Sequence, residues 1–190
     1  MNDMQRQPIE AEAPGRFTVD EFMMIAEAFD RVGLPGKIEL ADGVLVRMSP
    51  MNSPHFQAQR QLFAHLFSIF GYRTSGIIVG QEPGIRLAED TARAPDVAIL
   101  RDPGEREGLI PGDHLVLAAE VSDTTLDDDK GPKRLSYARA GVPHYWVVDI
   151  RGRVLETWSD PADGDYLQHR TIPFGDPIPV PGTNQTITLS

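Results

Sequence analysis

Asp96 and Glu120 are the residues of this chain best suited by type and position to do chemistry. Asp96 stands directly ahead of the apolar run Val97-Ala98-Ile99-Leu100. Glu120 lies near the end of a second one, Leu115-Val116-Leu117-Ala118-Ala119-Glu120-Val121. A carboxylate at the end of a buried strand is unfavourable unless it is paired or binds a cation. If the two strands pair antiparallel, these ends meet and the carboxylates can share a Mg2+ or Mn2+. A strand carbonyl, such as that of Val121, and waters would complete an oxygen shell. An ion so held activates a water and stabilises charge on a phosphate. A nearby ammonium would share that work, with Lys133 the first candidate by position and Lys130 the second. Spacing alone equally allows both acids to cap strand ends, since Pro-Asp pairs are common in turns.

The elements that must position these groups can be read from pattern. Thr18 with Glu21 three residues on forms a capping box, and Phe22, Met23, Ala26 and Phe29 give the helix Val19 to Arg31 an apolar stripe. Asp42-Gly43 between apolar alternations predicts a hairpin over Lys37 to Met48. Glu39 alternates with Ile38 and Leu40, so spacing places it on a solvated strand face. Ser53-Pro54 opens a second helix with His55 in its first turn, where a lone histidine usually packs or faces solvent. Gly76 to Gly80 and Gly84 to Leu87 read as short strands, and Asp90-Thr91 turns the chain toward Asp96. Pro132 is tolerated in a first helical turn, so the helix after Glu120 is expected to begin near Asp129 to Gly131. With Asp129 as its N-cap, Lys133 and Tyr137 follow at steps of four on one face. Tyr145 to Ile150, Val154 to Trp158, Tyr166 to Ile172 and Thr186 to Leu189 complete the strand set.

Composition sets outer bounds. The chain has 190 residues, 41% apolar and 24% charged, with no cysteine. A disulfide framework and a thiolate metal site are thereby excluded. No apolar run approaches the roughly 20 residues of a membrane span, and the N-terminus lacks a signal-peptide pattern, so a cytoplasmic location is expected. Residues 1–15 are expected to form a loose tail ahead of one domain over 16–190. The net charge of -10 argues against tight non-specific attraction to nucleic acid. It is compatible with an acidic cation site whose ion offsets the charge.

Taken together, Pro95-Asp96, Glu120-Val121, Asp129, Lys133, Tyr137-Ala138-Arg139-Ala140-Gly141-Val142-Pro143 and Tyr145-Trp146-Val147-Val148-Asp149 resemble the Uma2 family of endonucleases, within the PD-(D/E)XK nuclease superfamily. Ile38 to Gly43, His55 with Leu62 and Leu66, and Gly84 to Leu87 extend the likeness to roughly residues 17–160. The resemblance implies an α/β fold: a restriction-endonuclease-like core with a mixed β-sheet flanked by helices, preceded by a helix and a hairpin. It implies a metal-dependent DNA endonuclease with Asp96 and Glu120 as ligands of Mg2+ or Mn2+ and Lys133 as the catalytic lysine. It turns Glu39 from a surface residue into an active-site acid. Asp129 and Tyr137 would orient Lys133, and His55 would support the site. The superfamily's E-x-K pattern places lysine two residues after the glutamate, where this chain has Ser122, so Lys133 on the next helix is the substitute.

A basic patch of Lys130, Arg134 and Arg139 would dock DNA. A closed pocket without such a patch would instead suit a small phosphoester, and a catalytically weak scaffold or binding module is the other alternative. A two-fold homodimer fits an enzyme that cuts both strands, with the apolar hairpin around Val154 to Trp158 as candidate contact surface.

Overall fold

The structure, a computed structural model, describes residues 15–33, 36–48, 51–71 and 76–190. Almost all of the expected tail and part of the Ser49 to Pro54 loop lie outside these. Helix α1 (Val19–Arg31) begins with the expected capping box: the Thr18 side chain accepts from the Glu21 amide, and Glu21 reaches back to Thr18. Strands β1 (Ile38–Ala41) and β2 (Val44–Arg47) form the hairpin. Asp42 and Gly43 both have positive φ, 48° and 79°, as a type I′ turn requires. Helix α2 (Ser53–Phe70) follows, N-capped by Asn52.

Strands β3 (Ile77–Gln81), β4 (Ile85–Ala88), β5 (Thr91–Arg93), β6 (Val97–Arg101), β7 (Ile110–Pro111) and β8 (Leu115–Ser122) come next. After the helical segment described below, β9 (His144–Asp149), β10 (Val154–Ala162) and β11 (Asp165–Pro173) follow, and a small pair, β12 (Ile178–Pro179) and β13 (Thr186–Ile187), ends the chain. The central sheet has the order β11-β10-β9-β8-β6-β3. It is antiparallel except where β8 and β9 run parallel, joined by the helical crossover. A second sheet, β2-β1-β5-β4-β7, stands beside it. This is the mixed sheet flanked by helices that the sequence implied.

Residue alternation divides the central sheet into two faces. Val97, Ile99, Leu117, Ala119 and Val121 pack with Leu62 and Leu66 of α2. Ala98, Leu100, Ala118, Tyr145 and Val147 pack with Tyr137 and Ala138 of the crossover. A smaller core joins Val19 and Phe22 to Leu40 and Ala92.

Four expectations change. The crossover helix starts earlier than Asp129: α3 (Leu126–Asp128) runs into a wide π-turn (Asp129–Lys133) and then α4 (Arg134–Arg139). Asp129 is therefore not an N-cap. Pro132 lies inside the segment because its missing N–H and its ring disrupt an ordinary α-turn, which the wider turn relieves. The chain ahead of Asp96 is not a simple turn, since β5 is a buried strand, too short at three residues to show any periodicity. Phe29 is only half-buried and stands apart from the core that holds Phe22. Finally, Leu155 and Trp158 are buried within their own chain, which removes the largest apolar side chains from the proposed dimer surface.

Candidate active site

In the β6–β8 pair Val97 faces Ala119, and one step further the same register sets Asp96 opposite Glu120. Residues directly opposed in antiparallel strands share a face, with Cβ atoms about 4.5–5.5 Å apart. Both carboxylates line a cavity of about 470 Å3 whose walls also include Glu39, Val121, Asp129, Lys133 and His55.

Each acid is held by different means. The amide of Val121 donates to Asp96 Oδ2 at 2.7 Å, and His55 Nε2 lies 3.2 Å from the same oxygen. Asp96 Oδ1 takes part in neither contact. The Gln59 side chain donates to the Asp96 carbonyl at 2.9 Å, tying α2 to the start of β6. Glu120, 2% exposed, accepts from Lys133 Nζ at 3.0 Å and from the Tyr137 hydroxyl at 3.1 Å. Lys133, 4% exposed, also pairs with Asp129 Oδ1 at 3.1 Å. Asp129 Oδ2 accepts from Thr125, and its carbonyl accepts from the Tyr145 hydroxyl. Lys133 is thus fixed between two carboxylates.

Glu39 is buried, not solvated. Its carboxylate accepts from Arg93 Nη1 and from the Ala94 amide, both at 2.9 Å. It locks the segment that leads through Pro95 to Asp96. Sequence pattern gives no role to Arg93 or Gln59. The one available signal is an arginine three residues ahead of Asp96, in a stretch that also carries Glu89 and Asp90. Removing Arg93 leaves Glu39 an uncompensated buried charge, so Arg93→Met is expected to destabilise the fold by about 3–5 kcal/mol. Urea denaturation measures this, and an unchanged midpoint would contradict the latch.

Lys130, Arg134 and Arg139 are not on the cavity walls. Lys130 pairs with Glu156 at 2.8 Å, Arg134 with Asp165, and Arg139 with Asp42 at 2.9 Å.

Charge at the site is out of balance. Glu39, Asp96, Glu120 and Asp129 face two permanent cations, Arg93 and Lys133. Burial pushes the Glu120 carboxyl well above the usual range; Lys133 pulls the other way, and Asp96, Asp129 and Glu39 add to the rise. Burial opposes the charge on Lys133, but Glu120, Glu39 and Asp129 outweigh it and hold the ammonium above its ordinary value. Burial and Glu120 raise Tyr137, which keeps it a neutral donor. Among the described residues no three His, Asp or Glu side chains form a preformed metal cage. The donor set fits a hard cation that retains most of its waters and takes one or two carboxylates, and the surplus negative charge fits the same ion.

The mixed sheet, with its parallel β8–β9 crossover, brings Asp96 and Glu120 together at the ends of two neighbouring antiparallel strands and sets Lys133 beside Glu120. The chain belongs to the Uma2 family, described as "Putative restriction endonuclease", whose model matches residues 26–190. Among solved structures it is similar to a "putative nuclease belonging to DUF820 from Anabaena variabilis ATCC 29413". The TM-score is 0.62 with 17% identity, over 87% of this chain and 89% of that one. No curated protein matched. Among the described residues no helix is long and apolar enough to cross a membrane.

Proposed function

We propose that this protein is a divalent-metal-dependent endonuclease that hydrolyses phosphodiester bonds in DNA. The observation that carries the reading is the convergence of Asp96 and Glu120 on one acid-rich cavity, with the Lys133 ammonium fixed beside Glu120. Asp96, Glu120 and the Val121 carbonyl are the residues that would hold Mg2+ or Mn2+. Such an ion supplies an activated water and offsets charge on the phosphate. Water adds to phosphorus and one P–O ester bond breaks, leaving a phosphate monoester and a hydroxyl. Lys133 stabilises the charge that develops on the phosphate oxygens, and Asp129 and Tyr137 keep its surroundings in place. The Glu39–Arg93 latch fixes the backbone before Asp96. His55 and Gln59 hold Asp96 itself. Lys130, Arg134 and Arg139 contribute only secondary docking, because each would first have to leave its carboxylate.

A second reading, hydrolysis of small phosphoesters, draws support from the ion-paired state of those three basic residues, which lie off the cavity walls. Incubation of the protein with supercoiled plasmid in Mg2+, Mn2+ or EDTA tests the choice, with an Asp96→Ala control and a chromogenic phosphodiester alongside. Nicking that needs metal and Asp96 is expected. Turnover of the small ester alone would favour the second reading. No turnover under any metal would leave a nuclease-fold scaffold.

A further inference from the structure

We propose that the apolar wall of this cavity receives an unpaired nucleobase, so that the substrate is single-stranded or locally unpaired nucleic acid rather than intact duplex; the inference rests on the nuclease reading above. Phe29, Ala26, Ile38, Met48 and Met51 line the same cavity as Asp96 and Glu120. Phe29 lies about two turns on from Phe22 on the same helical face. Phe22 is buried in the core that α1 shares with Leu40, whereas Phe29 is only half-buried and stays outside that core. An aromatic ring left open to a cavity that also holds a phosphate-cleaving centre is a stacking platform. Bases of any sequence stack on such rings. Methionines adapt to irregular apolar surfaces and complete the wall.

Charge points the same way. A duplex is gripped chiefly through its phosphates by lysine and arginine. Here Asp30, Glu82 and Asp123 add to the acids of the cavity, and Lys37 and Lys133 are its only lysines among the described residues. Lys37 is paired with Glu82, and Lys133 with Glu120 and Asp129. With acids outnumbering lysines on its walls, the cavity draws affinity from base stacking together with a bound cation. A base inside a duplex is stacked on its neighbours and cannot reach this wall unless it is extruded. The cavity, at about 470 Å3, falls in the range that encloses a small ligand.

The test uses one fluorescein-labelled oligonucleotide sequence as deoxyribose single strand, ribose single strand and deoxyribose duplex, with Mn2+. Cleavage is followed on gels for the parent protein, Phe29→Ala, Phe29→Trp and Met24→Ala. Met24 is 73% exposed on the same helix and does not line the cavity, so it serves as control. Binding is read separately by anisotropy for the same proteins with Ca2+ in place of Mn2+. The single strand should be cut at least about tenfold faster than the duplex. Phe29→Ala should weaken single-strand binding about 5- to 150-fold, the usual effect of losing one stacking ring, and Phe29→Trp should restore it. The ribose and deoxyribose arms tell which nucleic acid supplies the base. Equal cleavage of duplex and single strand, with binding unmoved by Phe29→Ala, overturns the base site and leaves the nuclease reading standing. Selective, Phe29-dependent binding with no cleavage supports the base site and overturns the nuclease reading.

Discussion

Lys133→Ala is expected to lower metal-dependent cleavage by about 100- to 1000-fold, the usual effect of removing one stabiliser of transition-state charge. Lys133 is the lysine held against Glu120, and the superfamily position two residues after that glutamate is Ser122, which carries no charge. Tyr137 can donate to Glu120 but is neutral, so it cannot replace the ammonium. The same substitution also reaches the fold. Lys133 is buried between Glu120 and Asp129, and its loss leaves two like charges facing each other in a poorly solvated place. Breaking a buried pair in this way typically costs about 3–5 kcal/mol. Mg2+ should recover part of that loss if it binds between Asp96 and Glu120. The measurement is initial nicking rate under conditions where circular dichroism shows the variant folded, with urea titrations in Mg2+ and in EDTA. A variant that is folded and cleaves as fast as the parent would remove Lys133 from the mechanism.

Glu120→Gln should abolish metal-dependent cleavage and, in the absence of metal, change how stability depends on pH. Burial, then Asp96, Asp129 and Glu39, raise the native Glu120 carboxyl well above its ordinary value near 4.5. Between that value and the raised one, the folded protein keeps a proton that the unfolded chain has released. The native state then binds more protons, so stability falls as pH rises across this window and is fully reduced above it. One such proton contributes a slope of up to about 1.4 kcal/mol per pH unit. Glu120→Gln removes the titrating group, so its profile should be flatter over that range. The parent should be stabilised by Mg2+ at neutral pH, because an ion offsets the surplus charge, and the Gln variant should respond much less. Denaturant midpoints from pH 4.5 to 9, with Mg2+ or EDTA, decide the point. Equal slopes and equal Mg2+ shifts in both proteins would dissociate Glu120 from the cation site.

The acid pair is legible in the sequence because both of its signals are local. Two apolar runs of strand length, one led by Asp96 and one closing on Glu120, require only antiparallel pairing to bring the carboxylates together, and the register supplies it. The Thr18–Glu21 capping box and the Asp42-Gly43 turn are legible for the same reason: each depends on neighbours within four residues. Pro132 misleads, because the rule that keeps proline out of an α-turn does not forbid a wider turn.

Partners distant along the chain are another matter. Alternation with Ile38 and Leu40 places Glu39 on the opposite strand face, correctly, but does not show that β5 brings Arg93 onto that face from 54 residues away. Lys130, Arg134 and Arg139 cluster in the chain as a phosphate-binding patch would, yet each meets an acid 26, 31 or 97 residues distant. Periodicity records which side of an element is apolar. Which charge lies opposite a given side chain depends on how strands are ordered and how helices cross them, and that ordering is set by burial of the whole core, to which every element contributes at once.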